Sequence, residues 1–177
     1  MNGGDVVIRP ASPQDAEAIV HAHHAAVRRT ASAHYPEAIL QKWSPPPGEE
    51  RYEQIRAALA TGEELIIVAE LNARVVGFGC VVPHLNELRA VYVHADAGRR
   101  GVGAALLARL EDMARNHGVS ELHLDASINA EQFYLRAGYE VSERGVHQMH
   151  GGGEMACVKM RKVLGGPGLP TAERVRP

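Results

Sequence analysis

The chain has few cysteines, few aromatic residues and no long apolar run. Its 177 residues include only Cys80 and Cys157, without a CxxC spacing, which argues against a disulfide framework and favours a reducing compartment. No apolar run approaches the roughly 20 residues that cross a bilayer. The start MNGGDVVIRP lacks the basic and apolar regions of a secretory signal peptide. We therefore expect a cytoplasmic protein with no membrane partner.

The chain also lacks an excess of positive charge. Its 19 Lys and Arg residues and 21 Asp and Glu residues give a formal net charge of −2, so general nucleic-acid binding is not expected. His21, His23 and His24 share one predicted helix, but they lack the HExxH pattern of a zinc site. His23 falls on the apolar face of that helix, where histidines are more often core residues than ligands. We expect no metal.

Strand and helix patterns follow one another along nearly the whole chain. The order is a strand, helices, three strands, a helix, a strand, a helix and two closing strands. This order predicts a mixed α+β domain in which only the middle carries β-α-β crossovers. The domain is assigned to residues 1–164, because residues 165–177 have little to bury and are expected to be disordered.

The stretch VYVHADAGRRGVGAALLARL runs from a strand through a loop into a helix. A helix that starts there presents unpaired N–H groups and the positive end of its dipole. Gly101 and Gly103 allow a ligand to approach the backbone, and Arg99 and Arg100 suit phosphate oxygens. The stretch therefore predicts an anion site of pyrophosphate type. A glycine-rich connection with solvated arginines fits these residues equally well.

Two familiar phosphate-binding motifs do not fit this loop. A P-loop places Gly-Lys-Ser/Thr at its end, whereas Gly103 is followed by Ala104, Ala105 and Leu106. The dinucleotide fingerprint requires a third glycine that the same residues do not supply.

The loop and a second motif, NAEQFYLRAGYEV, together resemble the GNAT superfamily of N-acetyltransferases over about residues 5–163. The segments TASAHYPEAILQKW and LDASINAEQFY are similar to a bacterial branch often called YafP-like. The resemblance implies the GNAT acyl-CoA N-acyltransferase fold, a mixed central β-sheet flanked by helices, with acetyl-CoA as the acyl-donor cosubstrate. Two positions depart from the family pattern: Gly98 replaces Gln or Arg, and Ala95 replaces a frequent proline. We expect an altered phosphate contact at Gly98.

The resemblance also implies which residues bind the cosubstrate. The strand AVYV is expected to splay from its neighbour and to offer backbone groups, with the Val91 N–H facing the acetyl oxygen. Plain sheet packing is the alternative for Val91 and Val93. Asn129 is expected to cap a helix and to contact the cosubstrate. The full cosubstrate-binding set is Val91, Val93, Arg99, Arg100, Gly101, Val102, Gly103, Ala104 and Asn129.

Catalytic roles follow from the same resemblance. Tyr134 is the candidate general acid for the thiolate leaving group, and its alternative is a buried aromatic residue. Glu87 is the candidate general base, although a solvated carboxylate at a strand end is the commoner arrangement. His84, His147 and His150 are alternative bases.

The segment HYPEAILQKW is expected to cover the acceptor cleft, with contacts from His34, Tyr35, Glu37 and Trp43. The alternative is that Tyr35, Ile39 and Trp43 form the buried stripe of a short helix. The resemblance implies direct attack by the primary amine of a small molecule or an amino-acid derivative, and no nucleophilic Cys-His or Ser-His-Asp signature argues otherwise. A non-catalytic CoA-binding regulatory domain and acetylation of a protein or aminoacyl-tRNA amine stay open. The oligomeric state, including a homodimer, is also open.

Overall fold

A seven-stranded mixed sheet forms the centre of residues 5–165, the part of the chain that the computed structural model describes. The strands are β1 Val6–Pro10, β2 Leu65–Leu71, β3 Arg74–Val82, β4 Glu87–Val93, β5 Glu121–Ser127, β6 Glu140–Gln148 and β7 Glu154–Val163. The helices are α1 Ala16–Thr30, α2 Glu37–Trp43, α3 Glu49–Thr61, α4 Val102–Asn116 and α5 Glu131–Arg136. The predicted α+β class is confirmed. The expected disordered tail, apart from Gly165, lies outside the described residues.

The strands follow the order β1-β2-β3-β4-β5-β7-β6, and only β4 and β5 run parallel. Helix α4 covers one face of this sheet, and helices α1 and α3 cover the other. Alternate residues of β2 reach opposite faces, so Ile67 joins the core under α4 and Ile66 joins the core under α1. Gly79 allows α4 to come close, because a Cβ atom there would lie 2.5 Å from the Leu110 Cδ1 atom.

Two turns reverse the chain at residues with left-handed backbone angles. The hairpin between β2 and β3 turns at Asn72 and Ala73, whose φ angles of 52° and 59° are those of a type I′ turn. Helix α4 ends just before Gly118, whose φ of 80° reverses the chain toward β5. Within residues 5–165, no helix combines the length and the apolar character that crossing a membrane requires. Both cysteine thiols are free and buried.

Strands β4 and β5 separate soon after they meet. Their parallel pairing is confined to Glu87 and His123, so the rest of β4 has no partner on that side. On its other side β4 pairs with β3, where the register shifts at Arg89. Backbone groups of a strand alternate between its two sides, so β4 presents unpaired groups toward the gap beside β5. The splay expected for the AVYV segment is therefore present, and it opens the sheet where the site lies.

A partly buried ion pair joins β1 to the start of α1. The Arg9 guanidinium donates to both Asp15 carboxylate oxygens at 2.8 Å, and Ser12 donates its backbone N–H and its hydroxyl to the same carboxylate. The hydrogen bonds from Arg9 are the largest influence on Asp15, and they lower its pKa to about 2 although burial alone would raise it. A carboxyl group with a lowered pKa stabilises the folded state above its unfolded pKa of about 3.9, and this stabilisation is lost as the pH falls toward 2.

Replacing Asp15 with asparagine is expected to lower the free energy of unfolding at pH 7 by about 1–2 kcal/mol, after allowance for the partial exposure of Arg9. The difference from wild type should shrink when urea unfolding is repeated near pH 2.5, because the wild-type carboxyl is then partly protonated. Asp96→Asn is the matched control, since the Asp96 side chain is 91% exposed. An equal loss of stability at both pH values would contradict the ion-pair explanation.

Candidate active site

Two clefts open beside the gap between β4 and β5. The first, here the glycine-loop cleft, has a volume of about 700 Å³ and includes the start of α4. The second, here the histidine cleft, has a volume of about 430 Å³ and includes His23, His147 and His150. Trp43, Tyr92 and Ser127 line both clefts. A ligand in one cleft can therefore meet a ligand in the other at these three residues.

The glycine-loop cleft collects nearly all of the residues predicted to bind the cosubstrate. Of that set it is lined by Val91, Val93, Arg99, Gly101, Val102, Gly103, Ala104 and Asn129. Arg100 is the exception, because it is exposed and does not line the cleft. Sequence reasoning missed Arg29 and Arg136, two exposed arginines on this cleft that have no carboxylate partner within residues 5–165.

The loop before α4 turns so that its backbone faces the cleft. Arg99 and Gly101 both take left-handed backbone angles, with φ of 62° and 77°. Ala105 donates its N–H to the Gly101 carbonyl at 2.9 Å, whereas the N–H groups of the preceding turn have no acceptor within the helix. Gly103 has no side chain to cover this turn. A Cβ atom there would fill the space beside the turn and lie 3.3 Å from the Phe133 ring. The geometry presents N–H donors and the positive helix end to an anion.

Asn129 lies on the glycine-loop cleft but does not cap a helix, so that part of the prediction was wrong. It sits in a 3-10 turn over Ile128–Ala130, and Ala130 is the N-cap residue of α5. Its Nδ2 atom donates to the Thr30 hydroxyl at 3.3 Å, whereas its buried Oδ1 atom has no partner within the described chain. The free Oδ1 atom suits a ligand that carries an N–H donor.

Tyr134 is buried beside a narrow space of about 50 Å³ between β4 and β5. Tyr92 and Ser127 also line this space. Its hydroxyl makes no hydrogen bond to another described residue, although its ring packs edge-on against Phe133 and Tyr139. Burial, and to a smaller extent Tyr92, raises the pKa of the Tyr134 phenol above its ordinary value. Tyr134 lines neither cleft, but its phenol keeps its proton at neutral pH and lies near Tyr92 and Ser127, which stand at the junction of the two clefts.

Glu87 lines the histidine cleft, but its carboxylate is already engaged. Arg89 donates to both Glu87 oxygens, at 3.1 and 2.7 Å, and also pairs with Glu64. Burial alone would raise the pKa of Glu87, but the hydrogen bonds and charge of Arg89 outweigh burial and leave that pKa lowered. A carboxylate stabilised in its charged form is a weak proton acceptor.

His147 is the better placed of the alternative bases. Its Nδ1 atom lies 2.9 Å from the Asp125 Oδ2 atom, and both residues line the histidine cleft. Such a carboxylate fixes the orientation of the imidazole and leaves Nε2 free for proton transfer. His150 also lines this cleft, with no comparable partner among the described residues, whereas His84 is exposed and lines neither cleft.

Only one of the four residues predicted to contact the acceptor lies on a cleft. Trp43 lines both clefts, and its indole N–H donates to the Tyr92 hydroxyl at 3.3 Å. Tyr35 is buried instead, where its hydroxyl donates to the Ala156 carbonyl and accepts from the Ile128 N–H. His34 and Glu37 are exposed and line neither cleft.

Glu37 is in fact occupied on the outer surface, where it accepts hydrogen bonds from Arg28 and Gln41. Helix α2 buries Leu40, and Tyr35 packs in the same apolar cluster. The alternative prediction for Tyr35, a buried residue and not a ligand contact, therefore describes it better.

A polar cluster under the histidine cleft escaped the sequence reasoning. The His23 Nδ1 atom accepts from an Arg51 N–H at 3.0 Å and contacts the Ser44 hydroxyl at 3.0 Å. The His23 ring stands edge-on to Tyr92, with 4.5 Å between centroids. Burial lowers the pKa of His23 to about 3, and the positive charge of Arg51 adds to this effect. His23 is therefore a neutral imidazole on the cleft wall and not a simple core residue.

The signal that could have revealed the junction is strand alternation. In β5, Leu124 and Ala126 are buried, so the polar Asp125 and Ser127 must share the opposite face. In β4, Tyr92 lies between two valines and therefore points away from them. No group of three or more His, Cys, Asp or Glu side chains that could hold a metal ion occurs among the described residues.

Comparisons with known proteins agree with this geometry. A model of the acetyltransferase (GNAT) domain matches residues 31–164. The chain is 32% identical over 136 residues to the uncharacterised N-acetyltransferase YafP of Escherichia coli strain K12, covering 77% of this chain and 82% of that protein. The chain therefore belongs to the GNAT acetyltransferase family, and it is an acyltransferase of the N-acetyltransferase type.

Solved structures show the same fold. A GCN5-related N-acetyltransferase of Rhodopseudomonas palustris superposes with a TM-score of 0.79 at 27% identity, covering 92% of this chain and 98% of that one. The paiA N-acetyltransferase of Thermoplasma acidophilum, solved in complex with coenzyme A, gives a TM-score of 0.68 at 20% identity, with 90% and 99% covered. The predicted GNAT fold is confirmed.

Proposed function

We propose that the protein transfers an acetyl group from acetyl-CoA to the primary amine of a small molecule or an amino-acid derivative. The observation that carries this proposal is the meeting of the two clefts at Trp43, Tyr92 and Ser127. A donor in the glycine-loop cleft and an acceptor in the histidine cleft would bring their reacting atoms together there. A regulatory domain that only binds CoA has no need of a second cleft at this junction.

The residues of the glycine-loop cleft fit coenzyme A. The first turn of α4 offers N–H donors for the pyrophosphate, and Arg29, Arg99 and Arg136 offer positive charge nearby. The unpartnered Asn129 Oδ1 atom suits an amide N–H of the pantetheine arm. The paiA relative, solved in complex with coenzyme A, supports the same use of the fold here. When bound, acetyl-CoA supplies the activated acetyl group.

Two side chains of this chain are proposed to move protons. His147, oriented by Asp125, takes a proton from the acceptor ammonium so that the amine can attack. Tyr134 donates its phenolic hydrogen toward the departing sulfur. Glu87 is then a structural partner of Arg89 and not the base, because its carboxylate is held in its charged form.

The histidine cleft favours a small acceptor. Its volume of about 430 Å³ lies in the ordinary range for small-molecule sites. The net charge of −2 gives no broad basic surface for an aminoacyl-tRNA. A small amine is therefore the favoured acceptor over a protein or RNA substrate.

The experiment that tests the function measures thiol release from acetyl-CoA with a panel of primary amines. Amine-dependent thiol release together with an N-acetylated product is the expected result. CoA binding without release by any amine would favour the regulatory alternative.

Replacing Gly103 with valine is expected to abolish most of the thermal stabilisation by CoA. The new side chain enters the space between the α4 backbone and the Phe133 ring, where N–H groups would meet the pyrophosphate. Wild-type protein saturated at 100 times the Kd should gain about 2.7 kcal/mol of apparent stability. Gly48→Val is the matched control, because a Cβ atom at Gly48 meets nothing within 4 Å. Equal stabilisation of both variants by CoA would refute the site assignment.

A further inference from the structure

Arg51 is a half-buried cation on the histidine cleft that lacks a carboxylate partner within residues 5–165. The other half-buried arginines there are each paired with a carboxylate, namely Arg9, Arg28, Arg56 and Arg115. An unpaired charge that is partly removed from water destabilises the folded protein unless an anion compensates it. The exception at Arg51 therefore points to an anion that is not part of the described chain.

The Arg51 guanidinium is held in place although it has no ion pair. One N–H donates to the Pro45 carbonyl at 2.7 Å and another to the His23 Nδ1 atom at 3.0 Å. A guanidinium carries five N–H donors, so those that remain are sufficient for a two-point contact with a carboxylate. The neutral His23 imidazole serves as an acceptor for Arg51 and does not compete with it for an anion.

The position of Arg51 connects it to the reaction junction. It contacts His23, and the His23 ring lies against Tyr92, which lines both clefts. A single imidazole ring therefore separates the cation from the junction. An anion at Arg51 would belong to the same small molecule whose amine reaches the transfer point.

The charges along the histidine cleft are divided between its walls. The helical wall contributes Arg51 and Lys42, and Lys42 likewise forms no salt bridge within the described chain. The strand wall contributes three carboxylates, Asp125, Glu64 and Glu87. It also contributes one cation, Arg89, which pairs with both glutamates, so this wall stays negative in sum. An acceptor with an ammonium group toward the strands and a carboxylate toward the helices matches this division.

From these observations, and resting on the proposed function, we infer that the acceptor is an amine that also carries a carboxylate, bound by Arg51, as in a free amino acid. The reaction forms the amide bond between the acetyl carbon and the amine nitrogen, breaks the thioester bond, and leaves the carboxylate unchanged. Arg51 is a substrate-binding residue that selects the acceptor and takes no part in proton transfer.

The test measures kcat/KM for the twenty L-amino acids and for the matching amines that lack the carboxylate. Wild-type protein should prefer the acid of at least one pair, and this preference should fall about 10–100-fold in Arg51→Gln. Arg51→Lys should keep part of the preference, since it retains the positive charge. Arg56→Gln, on the same helix but engaged by Glu49 and Glu53, is the matched control and should keep all of it.

Three results would overturn this inference. The first is that none of the amino acids is acetylated, and the second is that the carboxylate-free amines are turned over as well as the acids. The third is that Arg51→Gln keeps the wild-type preference for the acids. O-Phosphoethanolamine serves as a phosphate-bearing probe, and its preference over every amino acid would also count against a carboxylate site. Acetylation of carboxylate-free amines alone leaves the proposed function standing, whereas loss of both CoA stabilisation and all thiol release removes that function too.

Discussion

His147→Gln is expected to lower the rate of acetyl transfer by about 10²–10⁴-fold near neutral pH, the usual contribution of a positioned acid or base. Glutamine keeps a polar side chain of similar length but cannot take up the ammonium proton. Single-turnover rates at saturating acetyl-CoA measure the effect, and CoA affinity should stay normal because His147 does not line the glycine-loop cleft. Asp125→Asn should cause a smaller loss, because the imidazole would persist without its orienting carboxylate.

The pH dependence distinguishes a missing base from general damage. The acceptor amine loses its proton to water as the pH rises, so the deficit of His147→Gln should narrow at alkaline pH. His84→Gln is the matched control, since His84 is exposed and outside both clefts. A normal rate in His147→Gln combined with a large loss in Glu87→Gln would return the role of base to Glu87.

The order of strands and helices was predictable because local signals agree with tertiary packing. Asn72 and Ala73 adopt the left-handed angles of a tight hairpin, and Gly118 ends α4 where the pattern stops. The confined pairing of β4 with β5 was not visible in composition or periodicity. It followed only from the family resemblance, because a strand that loses its partner keeps the same residue alternation.

The site was predictable where backbone binds the ligand and unpredictable where side chains from distant elements meet. Gly101 and Gly103 sit in one continuous loop, so their spacing shows their role. Asp125 and His147 are 22 residues apart on strands that are not neighbours, and their side chains meet across β7, which lies between those strands. No local pattern encodes such a pair.

The segment predicted to cover the acceptor shows the same limit. The segment contains aromatic and polar residues, as a ligand-binding helix does. In the structure, however, the Tyr35 hydroxyl accepts from the Ile128 N–H, and Glu37 accepts from Arg28. Only packing decides which face of a short helix reaches the cleft. Arg51 was overlooked because an arginine on an exposed-looking helix is normally solvated. That it has no carboxylate partner within residues 5–165 becomes visible only in the folded structure.

Tyr134→Phe is expected to reduce turnover by about 10²–10⁴-fold while leaving CoA affinity and the fold intact. The change removes one hydroxyl and keeps the ring that packs against Phe133 and Tyr139. Since burial raises the pKa of the Tyr134 phenol above its ordinary value, the phenol stays protonated throughout a pH 6–9 assay. The activity of the wild-type protein should therefore show no loss from Tyr134 ionisation in that range.

Tyr139→Phe is the matched control for this prediction. Tyr139 is also a buried tyrosine, its ring lies 5.5 Å from that of Tyr134, and unlike Tyr134 it does not line the narrow space between β4 and β5. If Tyr134 acts only through packing, both variants should keep near-normal single-turnover rates. If its hydroxyl donates to the departing sulfur, only Tyr134→Phe should be slow, and the deficit should shrink with an acyl donor whose thiol has a lower pKa, because such a thiolate leaves without needing a proton.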